Sequence, residues 1–360
     1  MPRNQAQGPP GNAHAPLRTR YTDLIGIRHP IVQEGMGPFT TARLAAAVSD
    51  AGGLGTVSVP GTAGDLHAGA RRLREHIETC ASLTDAVFAV NVPVGRGSDG
   101  EIAKFSRIYI DAVLAARRAD AGLARQLRVL TTSAGFPKGL TRRLHDEGLI
   151  HQHKVGSTRH AVKAAEAGVD AVIASGLEMG GHAPTSGMHT FVLVPNVADA
   201  VSVPVLLSGG VRDGRGLAAA LCLGADGVAL GTRFAATVDN IDWHPNYATA
   251  VLAAGEGDDF VLDGVFGPCR VLRNAGSSSI EKRGEEGERV TPAEKIEAMR
   301  RAQLDGDVGD GLVLLGQVAS GIDDLVAVRD LVPRMAAEAA RLVPEIRRTA
   351  PARQGEGESE

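Results

Sequence analysis

The sequence predicts an α/β fold: a (β/α)8 TIM barrel with a smaller cap or insertion after the eighth strand. Three observations carry that expectation. Eight short runs rich in Val, Ile and Leu follow one another at 30–36, 53–59, 86–94, 129–135, 150–156, 171–178, 203–210 and 227–234. They are read as apolar segments of the kind that strands buried on both faces require. Most are separated by segments at 41–51, 64–81, 100–119, 138–147, 158–167 and 214–223, whose Ala, Leu, Arg and Glu content and spacing suit helices. Such alternation implies parallel strands with right-handed crossovers, and eight units close a barrel. The third observation is an internal echo. Ala167-Gly168-Val169-Asp170-Ala171-Val172 recurs as Leu223-Gly224-Ala225-Asp226-Gly227-Val228, an offset of two βα units, and in both copies a glycine is placed to end a helix in the left-handed conformation. A doubly wound open sheet is the rival, but its GxGxxG fingerprint does not follow the first strand.

The 360 residues accommodate one large domain or two ordinary ones. Along the chain the expected divisions are a disordered tail at 1–20, the barrel at 21–234, a cap at 235–292, C-terminal helices at 293–345 that complete the outer ring, and a disordered acidic tail at 346–360. Residues 235–292 contain Trp243, Pro245, Tyr247 and a charged stretch at 281–289, with few strand signals. Helical periodicity returns at 292–304 and 322–342. Net charge is −4 and aromatic residues are 3%, with no Lys/Arg block interleaved with aromatics, so nucleic-acid binding has little support. No apolar run approaches the roughly 20 residues that span a bilayer. The polar first 20 residues lack the apolar stretch of a signal peptide, so a cytoplasmic protein without membrane partners is expected. Cys80, Cys222 and Cys269 show no metal-ligand spacing; Cys80 and Cys222 fall in helical segments, as small buried hydrophobes do.

The segment Val203 to Phe234 reads strand, glycine turn, helix, strand, glycine turn. Two loops of bare backbone N–H groups, Gly209-Gly210 and Gly231-Thr232, are thereby set one unit apart. This is how the last βα loops of a barrel cradle a phosphate. One unit upstream, Gly180-Gly181-His182 puts an imidazole on the same rim, where its ordinary pKa suits proton transfer. A phosphate-bearing cofactor beside a histidine points to an enzyme acting on a small molecule. Lys154, at the end of the fifth strand, would be a costly half-buried charge without an anionic partner such as a reduced ring or a substrate carboxylate; otherwise its stem snorkels to solvent. Glu178 either orients a neighbour or forms a loop salt bridge. Gln33, Gly35, Met36 and Gly37 close the first strand and Asn91 the third, offering amides and free backbone to a heteroaromatic ring, although Asn91 could equally cap the next turn. His151, His153, His189 and His244 lack metal-ligand spacing, so no metal is expected.

The run HKVGSTRHAVKAAEAGVDAVIASGLEMGGH, with LLSGGVRDGRGLAAALCLGADGVALGTRF, closely resembles the FMN-dependent nitronate monooxygenase family, formerly called 2-nitropropane dioxygenases. PIVQEGMG, AVNVPV, PCRVLRN and GQVASGI resemble it too, so the likeness runs from about residue 21 to 342. It implies FMN across the C-terminal face of the barrel, its phosphate held by Gly209, Gly210, Gly231 and Thr232. Gly35, Met36, Gly37, Asn91 and Gly180, with Gly181 beside it, would meet the ring or ribityl chain. Lys154 would stabilise negative charge on the reduced ring, and His182 would be the acid/base. The implied reaction takes electrons from an alkyl nitronate and passes them to O2, giving a carbonyl compound and nitrite. The GGH motif and the HK pair also resemble flavin-dependent enoyl-thioester reductases and NADH:quinone reductases, which take hydride from NAD(P)H. A non-catalytic flavin-binding protein is a further alternative. After His182 the chain departs from the usual pattern, with Ala183-Pro184-Thr185-Ser186 where a glycine is common. The sequence leaves the oligomeric state open, a homodimer being the common outcome for soluble enzymes.

Overall fold

A computed structural model describes residues 17–349, apart from 62, 63, 96 and 98–100, with side chains described to residue 343. Eight parallel strands build the main sheet: β1 (Ile31–Gln33), β2 (Gly55–Ser58), β3 (Phe88–Pro93), β4 (Leu127–Ser133), β5 (Ile150–Val155), β6 (Ala171–Ser175), then β8 (Val205–Ser208) and β9 (Gly227–Leu230). The two-residue strand β7 (Gly181–His182) lies between β6 and β8 in the chain but belongs to a second sheet. The ladder runs β1-β9-β8-β6-β5-β4-β3-β2. A parallel bridge between Val32 and Leu54 joins its two ends. The Gln33 N–H donates to the Leu54 carbonyl and the Leu54 N–H to the Ile31 carbonyl, both at 2.9 Å. The sheet is therefore closed into the expected (β/α)8 barrel, and the open-sheet alternative is excluded.

Inward-facing Val32, Leu54, Ala89, Val129, Ile173, Leu206 and Ala229 pack with Tyr21 and Ile25. The latter two come from a short helix, Arg20–Ile25, whose N-cap Thr19 exchanges reciprocal hydrogen bonds with Thr22. Tyr21 donates to Gln152 Oε1, and Gln152 Nε2 donates to Thr131, each at 2.7 Å. This helix closes the N-terminal end and leaves only the C-terminal ends open. Gly168 and Gly224, the two glycines of the internal echo, take φ of +87° and +90° after their helices, as expected.

Residues 1–16 and 350–360, parts of the two expected tails, lie outside the described residues. Residues 17–20 and 346–349 do not belong to a tail: Leu17 packs on the barrel core, Thr19 caps a helix, Arg20 pairs with Asp226 at 2.7 Å, and the last helix, Val328–Thr349, continues past residue 345. A helix at Thr190–Ala200 was not foreseen between the sixth and seventh units, because the polar run before it and Pro195 within it mask the periodicity. The segment after β9 departs from expectation in another way. It contains an antiparallel hairpin, β10 (Asp259–Asp263) and β11 (Pro268–Leu272), and β11 also pairs with β7, setting Cys269 against His182. Cys80 and Cys269 are buried, but Cys222 is exposed at the last turn of its helix, which corrects the expectation for that residue. Among the described residues no helix is long and apolar enough to cross a membrane, and no side-chain group could hold a metal ion.

Candidate active site

The strands deliver their C-terminal residues to a single cavity of about 950 Å³. Gly209, Gly210, Gly231 and Thr232 line one part of it. Gly209 and Gly210 have φ of +110° and +78°, conformations that L side chains rarely adopt. Among the described residues, no protein acceptor receives the main-chain N–H of Gly209, Gly210 or Gly231. Thr232 accepts the Gly316 N–H at 2.9 Å, leaving its own hydroxyl proton free to donate. The three N–H groups lie at the open rim of the cavity, Gly209 and Gly231 partly buried and Gly210 exposed, where they are free to converge on an anion.

Gly35, Met36, Gly37 and Asn91 line the same cavity with Gly180 and Gly181. A Cβ on Gly35 would lie 2.5 Å from the Asn91 amide nitrogen, so a glycine is required for this approach. Gln33 is different. It is fully buried, donates to the Thr56 carbonyl at 3.1 Å and accepts the Thr56 N–H at 3.3 Å, so its amide ties β1 to β2 and offers nothing to a ligand.

Lys154 also lines the cavity, and its anionic partner is internal: Nζ lies 3.0 Å from Glu34 Oε1. Ser208 donates to the same oxygen at 2.5 Å. Glu34 was not singled out from the sequence, since it is one carboxylate inside a glycine-rich turn. Lys154→Met should cost about 3 kcal/mol in urea denaturation, because it strands a mostly buried carboxylate, and adding Glu34→Gln should recover most of the loss. Equal stability of the single and double variants would show that the two groups are uncoupled. Glu178 uses both carboxylate oxygens on Thr190, accepting its N–H at 2.9 and 3.1 Å and its hydroxyl at 2.8 Å, and so anchors the start of the Thr190–Ala200 helix.

His182 sits on β7 where the cavity meets the hairpin. Its Nε2 accepts the Val265 main-chain N–H at 3.0 Å. An amide can only donate, so Nε2 is unprotonated and the neutral ring carries its proton on Nδ1. Burial, then the positive charges of Lys154 and Lys295, lower the pKa to about 4 against the opposing pull of Asp263. Near neutral pH the ring is thus a hydrogen-bond donor whose one lone pair is already used. Phe266 packs edge-on to it, with ring centroids 5.3 Å apart.

A chain of hydroxyls and imidazoles enters the same cavity from the side. His153 lines the cavity, and its Nδ1 lies 2.7 Å from the Thr132 hydroxyl. Thr132 reaches His151 Nε2 at 2.8 Å, and His151 Nδ1 reaches Thr141 at 2.9 Å. Thr132 has one proton to give, so at most one ring can accept from it and the other must donate to it, and the two tautomers are coupled. Burial lowers the pKa of both, to about 3 for His151 and about 4 for His153. The sequence placed these histidines on one strand, but nothing in it linked them to Thr132 or Thr141.

A closed barrel with free N–H groups, a mostly buried Lys–Glu pair and a neutral histidine gathered at its C-terminal face has the architecture of an enzyme. The chain belongs to the nitronate monooxygenase family, whose model matches residues 18–338, and it is accordingly an oxidoreductase. It is 32% identical to (3aS,4S,5R,7aS)-5-hydroxy-7a-methyl-1-oxo-octahydro-1H-indene-4-carboxyl-CoA dehydrogenase of Rhodococcus jostii strain RHA1, over 91% of this chain and 97% of that one. A probable nitronate monooxygenase of Staphylococcus saprophyticus is also 32% identical, over 72% of this chain and 79% of its own. Among solved structures, FabK from Thermotoga maritima superposes with a TM-score of 0.80 at 34% identity, covering 92% of this chain and 99% of that one.

Proposed function

We propose that the protein is an FMN-dependent oxidoreductase of nitronate monooxygenase type, acting on alkyl nitronates with O2. The residues present fit the cofactor. The unpaired N–H groups of Gly209, Gly210 and Gly231 and the Thr232 hydroxyl would hold the phosphate. The ring and ribityl chain would lie along Gly35, Met36, Gly37, Asn91, Gly180 and Gly181, where Ser58 and Ser175 carry buried hydroxyls without a partner. Lys154, balanced by Glu34, would meet added negative charge. When bound, FMN supplies the electron acceptor and the site that reacts with oxygen.

The observation that carries the substrate assignment is the state of His182. Its Nδ1–H can donate to an oxygen of a nitronate, which arrives already anionic and needs no base. Removing a proton from a neutral nitroalkane would require a free ring nitrogen, and Nε2 is held by Val265. Phe266 packs edge-on to the ring and helps keep water from it.

A second reading is favoured by the rest of the cavity lining. Lys163, His160 and Lys138, the last paired with Glu101 at 2.9 Å, line the cavity together with the apolar Ile296, Met299 and Leu314. Cations beside an apolar channel suit a CoA thioester, whose phosphates would sit outside while the acyl group enters. The full-length Rhodococcus relative, named for a CoA substrate, supports the same reading. In that case His182 would donate to the thioester carbonyl.

Visible absorbance of the holoenzyme under nitrogen separates the two. Propionate 3-nitronate should bleach the flavin, and admitting O2 should restore the colour and release nitrite, while neutral nitroethane reacts far more slowly. Bleaching by NAD(P)H or an acyl-CoA, with none by the nitronate, would replace the first reading by the second.

A further inference from the structure

We propose that the Gly264-Val265 peptide is a positioning group for His182 and that Lys295 sets its strength. The proposal rests on the reading that His182 meets the substrate through Nδ1. Lys295 comes from the helix Pro292–Arg300 and is 5% exposed. Its Nζ donates to the Gly264 carbonyl at 3.0 Å and to Asp263 Oδ2 at 2.9 Å. The N–H of that same peptide, on Val265, is the one that His182 Nε2 accepts. One amide unit is therefore gripped on both sides, by a cation at its oxygen and an imidazole at its nitrogen.

The turn is shaped for this contact. The Gly264 N–H donates to the Gly267 carbonyl at 2.8 Å, closing the hairpin tip, and Gly267 takes φ of +110°. A Cβ on Gly264 would lie 2.9 Å from His182 Nε2 and 2.6 Å from Cys269 Cβ, so only glycine lets the peptide reach the ring. A cation on the carbonyl oxygen draws density from the amide and makes its N–H a stronger donor. The stronger that donor, the more firmly the proton is confined to Nδ1, since a proton on Nε2 would set two donors face to face. The charged groups that act on the ring come from three elements: Lys154 from β5, Lys295 from its helix and Asp263 from β10. Lys295 thus acts on His182 by charge and through the peptide, without touching it.

Nitrogen NMR of the histidine-labelled holoenzyme, with the His182 signals assigned by their loss in His182→Asn, reads the tautomer directly and without substrate. The wild type should show a protonated Nδ1 and a hydrogen-bonded, unprotonated Nε2. Val265→Pro removes the N–H and should give a mixture of tautomers, with kcat/KM down by about tenfold; Val265→Ala keeps the N–H and the wild-type tautomer. Lys295→Met should move Nε2 toward the shift of a free ring nitrogen and carry the acid limb of kcat/KM to higher pH, with Lys295→Arg restoring both. A Val265→Pro protein that keeps a pure Nδ1–H tautomer overturns the proposal. So does a Lys295→Met protein with a wild-type Nε2 shift and pH profile, which decides the matter even if the proline variant does not fold. Because the spectra need no turnover, a failure of nitronate oxidation would leave this result readable.

Discussion

Gly316→Ala is expected to yield a protein that no longer retains flavin. The methyl group would lie 2.6 Å from the Glu178 carbonyl oxygen and 2.9 Å from the Gly180 nitrogen, where ordinary contact begins near 3.4 Å. Both atoms are backbone, so neither can swing aside. The Glu178 carbonyl already accepts the Gln317 N–H at 3.0 Å, and the Gly316 N–H is bonded to Thr232. Relief must come from separating the loop that carries Gly180, Gly181 and His182 from the one that carries Thr232. Overpacking of this kind costs about 1–3 kcal/mol, which as lost ligand affinity is about ten- to hundredfold. Flavin content after purification and titration of the apoprotein with FMN measure it. Gly309→Ala is the control, because its methyl would meet only Asp307 Oδ1 at 3.9 Å. Wild-type flavin content in Gly316→Ala would show that the two loops do not jointly define the site.

That contact shows which parts of the site a sequence can reveal. The glycine turns at Gly180, Gly209 and Gly231 were legible because each follows an apolar run, and the closed barrel brings all of them to one cavity. Lys154 was legible as a charge out of place at a strand end. Its partner was not, since Glu34 and Lys154 meet only when β1 and β5 face each other across the barrel mouth. The same holds for Thr132 between two imidazoles, a junction formed by residues 19 and 21 positions away.

The hairpin was the larger omission, and the reason is physical. Phe260 and Leu262 point inward while Val261 is exposed, so β10 has the period-two pattern of a half-covered strand, but over only five residues flanked by charge. Strand β7 is shorter still and exists only because β11 supplies its partner. Helical periodicity in 322–342 likewise misjudged a boundary: residues Gln317–Gly321 form one 3₁₀ turn beneath the Glu178 loop, and the helix proper begins at Val328. Where one element packs on the barrel, local pattern was sufficient. Where three segments distant in sequence converge on a single imidazole, only the folded chain reveals it.

Three neutral histidines around the cavity should make the protein sensitive to mild acid. His151, His153 and His182 have pKa values lowered to about 3, 4 and 4, with burial the largest cause in each case. In the unfolded chain each returns to about 6.5, so between pH 6.5 and about 4 the unfolded state binds protons that the folded state does not. Stability therefore falls as pH drops through that window, by about 1.4 kcal/mol per pH unit for each group, and levels off below the folded values. Three such groups amount to about 4 kcal/mol per unit, or about 6 kcal/mol between pH 6.5 and 5, which unfolds the chain near pH 5 if its stability lies at the low end of the typical range of about 5–15 kcal/mol. Glu294, lowered to about 2 chiefly by its hydrogen bond from Arg283, loses its contribution as pH falls from about 4.5 to about 2, below the window in which the histidines act. Urea midpoints measured from pH 4.5 to 6.5 test the slope. His182→Asn removes one titrating ring and should reduce it by about a third. A wild-type slope near zero would mean that the rings take up protons in the folded state, and the fixed Nδ1–H tautomer of His182 would go with them.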